Sequence, residues 1–260
     1  MVPPYYSSLG QFREILPTGR PVLMYHHVGP RQRAARIKGL YVSRRLFERQ
    51  LSELHAAGFS SPRMDDIVIE QKDPAPAGSR SVWLTFDDGF RDVFENALPL
   101  LQKYRARGTL FLVTKLLGKT NEWQQQQGDV VEPLMNEAEV RAWLADGHQI
   151  GSHTLTHPHL TRLSQAAARE EIVDSKKFLE DLFGVGIEHF CYPYGDWNET
   201  VRDLVHDAGY RTACTTINGV NTPATASLEL KRFMARYPSR TLKTFCSRWG
   251  RMLWPKWQLF

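Results

Sequence analysis

The sequence predicts an α/β fold built on a parallel sheet, closed or open, and three observations carry that reading. Four amphipathic segments end in glycine and run at once into an apolar stretch, at Gly58, Gly108, Gly147 and Gly209. A glycine just past the last helical residue adopts positive φ without steric cost and closes the helix, after which the chain enters a strand. Short apolar runs alternate with segments of helical period, the pattern of a sheet whose crossovers are helices. Polar residues stand at the far ends of these runs, where ligands gather in such folds.

The first strand is read over residues 21–28. Ser43 can cap a helix over 44–57, whose Leu46, Phe47, Leu51 and Leu54 share one face. Strands follow over 81–86 and 109–113. Asn136 with Glu139 forms a capping box ahead of Val140, Trp143 and Leu144, and a strand over 148–152 comes next. Ser164 opens a long helix to Phe183, with Ile172, Val173, Phe178, Leu179 and Leu182 as its stripe and Gly184 closing it. A strand over 188–192, a helix after Asn198 with Val201, Leu204 and Val205, and a strand over 210–215 complete the series. Leu230-Lys231-Arg232-Phe233 reads as a late strand, and the run Gln124 to Gln127 as a loop.

The chain has 260 residues, 42% hydrophobic and 23% charged, which excludes disorder as its dominant state. Its net charge of +5 is unevenly divided. The first 230 residues carry 25 basic and 28 acidic side chains, a net −3, whereas the last thirty carry eight basic residues and no acid. Three widely spaced cysteines, Cys191, Cys214 and Cys246, make neither a zinc pattern nor a disulfide framework and suit a reducing compartment. Residues 1–19 lack a basic start followed by an apolar core, and no apolar run reaches membrane-spanning length. The expectation is a cytoplasmic protein with a peripheral contact at the inner membrane.

The chemistry-bearing residues stand at the ends of different strands. Thr85-Phe86-Asp87-Asp88-Gly89 closes one strand, Ser152-His153 another with His157 four residues on, Tyr192-Pro193-Tyr194-Gly195 a third, and Tyr25-His26-His27 the first. Adjacent carboxylates point in different directions from an extended backbone, so one can bind a metal while the other stays free as a base. His153 and His157 cannot share a regular helix, because the residue before Pro158 is steered away from helical dihedrals. A turn can bring both imidazoles to one point, giving with one Asp a two-histidine, one-carboxylate site that suits hydrolytic Zn²⁺ and also non-haem Fe(II).

Thr85 to Gly89, His153-Thr154-Leu155-Thr156-His157-Pro158 and Tyr192 to Gly195 resemble, in order and spacing, the first three motifs of the polysaccharide deacetylases, the NodB-homology group or carbohydrate esterase family four. The resemblance spans roughly residues 20 to 236. It implies a distorted (β/α) barrel of about seven strands and metal-dependent removal of acetyl from N-acetylated sugars. Carried over residue by residue, it makes Asp87 the general base, Asp88, His153 and His157 the ligands of a divalent metal (Zn²⁺ first, with Co, Ni or Fe as alternatives), and the Tyr194 N–H an oxyanion donor.

Two departures from the family pattern stand out. The third motif usually carries an Arg two residues before its Pro, where it orients the catalytic Asp, and here that position is Cys191. Arg232 is the substitute expected from the late strand. The usual C-terminal Leu-x-His that supplies the general acid is missing, since no His follows His206. The poly-N-acetylglucosamine deacetylase subgroup carries the equivalent on its first strand, and Pro21 to Val28 fits that pattern. Strand alternation sends His26 and His27 to opposite faces, so one of them reaches the site, and His26, which follows the Tyr, is the choice.

The expected organisation is an N-terminal extension over 1–19, the deacetylase domain over 20–250 and a basic aromatic tail over 251–260. The expected substrate is an N-acetylated oligosaccharide or glycolipid of a cell-surface glycan or its lipid-linked precursor. The tail offers a peripheral contact with an anionic leaflet. Nucleic acid is not an expected partner, because no recognised motif occurs and the body is acidic. Two other classes fit less of the pattern: a non-catalytic glycan- or membrane-binding protein on the same scaffold, and a non-haem Fe(II) oxygenase.

Overall fold

The computed structural model describes residues 16, 19–67 and 80–235, so most of the N-terminal extension and the basic tail lie outside the described residues. Seven parallel strands form one sheet: β1 (Val22–Tyr25), β4 (Trp83–Phe86), β5 (Gly108–Leu112), β6 (Gln149–Ser152), β7 (His189–Cys191), β8 (Thr212–Cys214) and β9 (Phe233–Met234). Their order is β8-β7-β6-β5-β4-β1-β9, and β2 (His27–Val28) pairs with β3 (Tyr41–Val42) in a separate parallel ladder. The sheet curls into a distorted barrel. The closing segment bonds both edges, with Leu230 bridged to Cys214 of β8 and Phe233 registered with Leu23 of β1.

Strand alternation sorts the side chains. Val22, Trp83, Phe111, Cys191, Cys214 and Leu230 pack together inside the barrel, while Leu23, Tyr25, Leu84, Phe86, Leu110 and Phe190 face outward into the larger core beneath the helices. Met64 and Ile67 join the inner cluster and plug the end from which the strands start. There the Trp83 Nε1–H donates to Arg63 O at 2.9 Å, and His189 sits between Asp65 Oδ1 at 3.0 Å and Thr212 Oγ1 at 2.9 Å. The opposite end is left for the polar strand termini.

The helices are α1 (Arg44–Ala56), α2 (Leu98–Tyr104), α3 (Glu122–Gln125), α4 (Glu137–Ala145), α5 (Gln165–Phe183) and α6 (Glu199–Asp207). Their caps are the expected polar side chains. Ser43 Oγ accepts from the Leu46 N–H, Asn136 and Glu139 form a reciprocal box, and Ser164 and Asn198 accept from Ala167 and Val201. Among the described residues, no helix is long and apolar enough to cross a membrane.

Sequence expectations are corrected at Gly108, along residues 21–28 and in the run Gln124 to Gln127, where Gln124 and Gln125 close the short helix α3 instead of standing in a loop. Gly58, Gly147 and Gly209 take positive φ, but Gly108 does not: the left-handed residue ending α2 is Arg105, at φ 52°, and Gly108 begins β5. Gly108 is there for space, since a Cβ would come within 2.9 Å of the Phe86 ring. The run over 21–28 is not one strand, because β1 ends at Tyr25 and the chain bends at His26 into β2. A π-helical turn over Val93–Ala97 leads into α2, an element with no regular period to announce it.

Gly151 shows how tightly the barrel is filled. A Cβ at this inward position would meet His189 O at 2.6 Å and the Phe111 ring at 2.7 Å. Neither backbone nor buried ring can move away cheaply. Gly151→Ala is expected to cost about 1–3 kcal/mol by overpacking, read as a lower urea midpoint at unchanged m-value.

Candidate active site

The open end of the barrel collects five strand termini. Asp87 continues the ladder from β4, its N–H bonded to Tyr25 O at 2.9 Å, while Asp88 and Gly89 turn sharply with φ of 74° and 78°. That turn sends the two carboxylates apart. After β6, His153 keeps the ladder through its bond to Leu112 O, and Thr154 and His157 both adopt positive φ. The loop is held from outside: the Glu171 carboxylate on α5 accepts from the N–H groups of Leu155 and Thr156 and from the Thr156 hydroxyl. Glu171 went unread in the sequence, where it is one of many acids on a helix.

This turn brings both imidazoles to Asp88. Each Nε2 lies 3.3 Å from Asp88 Oδ1, and the two Nε2 atoms lie 3.2 Å apart. His153 Nδ1 donates to Cys191 O at 2.7 Å, which turns its Nε2 toward Asp88. Asp88 Oδ1 is buried and makes no hydrogen bond. Three donors facing one another across roughly 3.3 Å match the edge of a tetrahedron with arms of about 2.0 Å, the usual spacing around a small divalent cation. The set fits a metal centre.

Two of the three groups carry the protonation state a cation needs, whereas the Cys191 and Asp88 contacts raise His153 well above the usual imidazole value despite its burial, so a cation at its Nε2 would have to displace a proton. Burial opposes the charge on Asp88, yet the two imidazoles hold its carboxyl well below the ordinary range. Burial lowers His157 to about 4 despite Asp88, so its ring is neutral. A second trio of Asp87, His153 and Cys191 also lies within reach of one point. It does not fit, because both Asp87 oxygens are taken and burial pushes the Cys191 thiol up to about 11, leaving it protonated.

Arg232 is what takes them. From the closing segment its Nη1 and Nη2 donate to Asp87 Oδ1 and Oδ2 at 2.7 and 2.8 Å. Its Nε–H donates to Thr215 O, and Nη1 also reaches Thr85 Oγ1. Arg232 and Asp87 are 1% and 2% exposed, so the pair is dry and its geometry fixed. Burial alone would raise the Asp87 pKa, but the guanidinium outweighs it and keeps the carboxyl below its usual value.

A family model described as polysaccharide deacetylase matches residues 75–213, more than half of the chain. The chain belongs to the polysaccharide deacetylase family. YxkH of Bacillus subtilis strain 168 is 28% identical over 205 residues, 78% of this chain and 66% of that protein. The poly-β-1,6-N-acetyl-D-glucosamine N-deacetylase of Staphylococcus aureus strain MRSA252 is 29% identical over 180 residues, 67% of this chain and 61% of the relative. The match thus spans less than two thirds of both relatives. The deacetylase PplD of Streptococcus pyogenes, solved in complex with acetate, superposes with a TM-score of 0.74 at 26% identity, covering 88% of this chain and 98% of its own.

Within this polysaccharide deacetylase fold, Cys191 occupies the motif position where the family usually has Arg. Its Sγ accepts from Arg232 Nη2 at 3.1 Å and its S–H points to Asp87 Oδ2 at 3.7 Å. A small side chain here leaves room for the guanidinium to arrive from the other side. The two neighbouring histidines part company. His26 Nε2 lies 3.8 Å from Asp87 Oδ2, whereas His27 is sandwiched outside the barrel between Tyr41 and Phe90 with Nδ1 3.1 Å from Asp92.

Tyr194 takes φ of 60° in the turn Pro193–Gly195, whose internal bonds are made by the N–H groups of Gly195 and Asp196, leaving the Tyr194 N–H outside them. Beside it opens a cleft of about 410 Å³, whose walls include Trp123, Gln127, His157, His159 and Tyr194. Trp123 is buried and stacks on His157 at 4.6 Å, so it covers a metal-site ring rather than offering a free face.

Proposed function

We propose that the protein hydrolyses the N-acetyl group of an N-acetylhexosamine in a cell-surface glycan or its lipid-linked precursor. The observation that carries this reading is a dry, ionised Asp87, clamped by Arg232, beside a separate trio of metal-type donors, one of which, His157, lines the neighbouring cleft. The name of the staphylococcal relative and the acetate held by the streptococcal neighbour support the reaction class.

Asp88, His153 and His157 would hold the cation, Zn²⁺ by their nitrogen and oxygen donors. When bound, it would polarise the acetyl carbonyl and make water acidic enough to attack near neutral pH. Asp87, off the metal and ionised, takes the proton of the attacking water. The Tyr194 N–H donates to the oxygen on which negative charge develops. His26 hands a proton to the departing amine. Burial lowers its pKa against the pull of Asp87 and Asp88, so the imidazolium is a stronger proton donor but is carried by a smaller share of the protein at neutral pH. Arg232 keeps the base charged and aimed.

The test is acetate release. Protein loaded with Zn²⁺ or Co²⁺ is expected to free acetate from N-acetylglucosamine oligomers, β-1,6-linked ones included, to lose this activity on chelation and to regain it when the cation is restored. A cation-loaded protein that releases no acetate from any N-acetylated glycan overturns the reading.

A further inference from the structure

One histidine at the cleft has no part in this mechanism. His159 lies two residues beyond His157 and lines the cleft with Tyr194. Its ring stacks on the Tyr194 ring at 4.0 Å and 12°, and Tyr194 in turn meets His157 edge-on at 4.5 Å. Its Nδ1 sits 3.3 Å from Asp196 Oδ2. Asp196 is itself braced, because the Thr161 hydroxyl bonds its carboxylate at 2.7 and 2.8 Å and its own N–H is tied to Pro193 O. Gln127 donates to the Tyr194 hydroxyl at 3.3 Å from the facing wall.

A half-buried histidine has little need of such bracing for stability, since ion pairs open to solvent contribute little. What bracing gives is orientation. In the neutral ring the Asp196 carboxylate accepts from Nδ1–H, and Nε2 is then the acceptor turned to the cleft. That Nε2 has no protein partner among the described residues. An oriented acceptor on an aromatic pair, at the edge of a cleft sized for a small organic ligand, is the arrangement that reads a sugar: hydroxyls to the nitrogen, C–H face to the rings.

We infer that His159, held by Asp196 and Thr161, is a positioning residue that reads a hydroxyl of the glycan beside the acetamide under attack. It selects a saccharide over other N-acetyl compounds. The inference rests on the deacetylase reading for its substrate and on the geometry of the cleft wall for its residue.

The test compares the wild-type chain with His159→Ala, His159→Phe and Asp196→Asn on an N-acetylglucosamine pentamer. His159→Ala is expected to raise KM about tenfold with kcat changed less than threefold and bound cation unchanged. Phe, which keeps a ring but no nitrogen, is expected to recover part of that loss. Asp196→Asn is expected to raise KM roughly threefold, within the range of one weakened neutral hydrogen bond. A fall in kcat at constant KM, a loss of cation, or no change in either parameter overturns the inference. If the wild-type protein releases no acetate, calorimetric titration of the pentamer into wild type and His159→Ala still decides: equal affinities, or no binding to either, overturn it.

Discussion

Asp87→Asn is expected to lower the rate of acetyl hydrolysis by about 10³-fold while the protein still binds its cation, because a positioned general base contributes roughly 10² to 10⁴. The amide is nearly isosteric and its oxygen can still accept from one Arg232 nitrogen, but its NH2 faces the other as donor against donor and it cannot take a proton. The proposed metal trio is untouched, since it comprises Asp88 Oδ1 and the two Nε2 atoms and not Asp87. Metal content by emission spectroscopy and acetate release on the same sample separate the two roles. Loss of cation together with activity would show that Asp87 belongs to the metal shell and not to proton transfer.

Arg232→Met should have the largest effect on stability and should also stop the reaction. Removing one partner of a buried ion pair costs about 3–5 kcal/mol, because the other charge is left without compensation. Asp87 escapes part of that cost by taking up a proton, and a protonated base is inactive. The sign of the pH dependence follows from the direction of the shift. In the wild type the folded pKa is depressed, so Asp87 contributes stability above its ordinary unfolded value near 3.9, and this contribution is lost as pH falls through the lower folded value. In the variant, burial is opposed only by the neighbouring His26 and His153, and the pKa rises. The stability gap should therefore be widest at neutral pH and shrink toward pH 4, and the acid limb of kcat/KM should move upward. Urea melts and rate profiles at both pH values measure this. Adding Cys191→Arg to the variant offers Asp87 a guanidinium from β7 and is expected to restore part of the activity, whereas Cys191→Arg alone crowds two guanidinium groups around one carboxylate. Stability and pH limb both unchanged in Arg232→Met would mean that the clamp does not govern Asp87.

The parts of the site readable from sequence were those carried by short motifs at strand ends. Asp87, Asp88, His153 and His157 lie within two such motifs, and the expected parting of His26 from His27 holds although the chain bends at His26 between β1 and β2. Arg232 drew attention only because Cys191 left Asp87 without its usual partner. Other features had no local signal. Glu171 braces the histidine loop from the middle of a helix, and its role depends on a fold that sets α5 beside that loop. Asp196 and His159 come from different strand ends and meet only because β6 and β7 are neighbours. The two-residue strands β2 and β3 are too short to show a period, and Gly108 looked like a helix terminator because its neighbours in sequence say nothing of the Phe86 ring across the sheet.

The closing segment has a bearing on how the protein assembles. All three proposed cation donors lie between residues 88 and 157, whereas the proposed base, Asp87, acquires its guanidinium from residue 232, which is 145 positions away, and its neighbouring imidazole from residue 26. Contacts between distant parts of a chain form late, because loop-closure entropy must be overcome first. The cation centre can therefore form in a chain whose barrel is still open, while proton transfer waits until β9 docks against β1. Cation uptake and the onset of turnover should then mark two separate moments in refolding, with uptake the earlier.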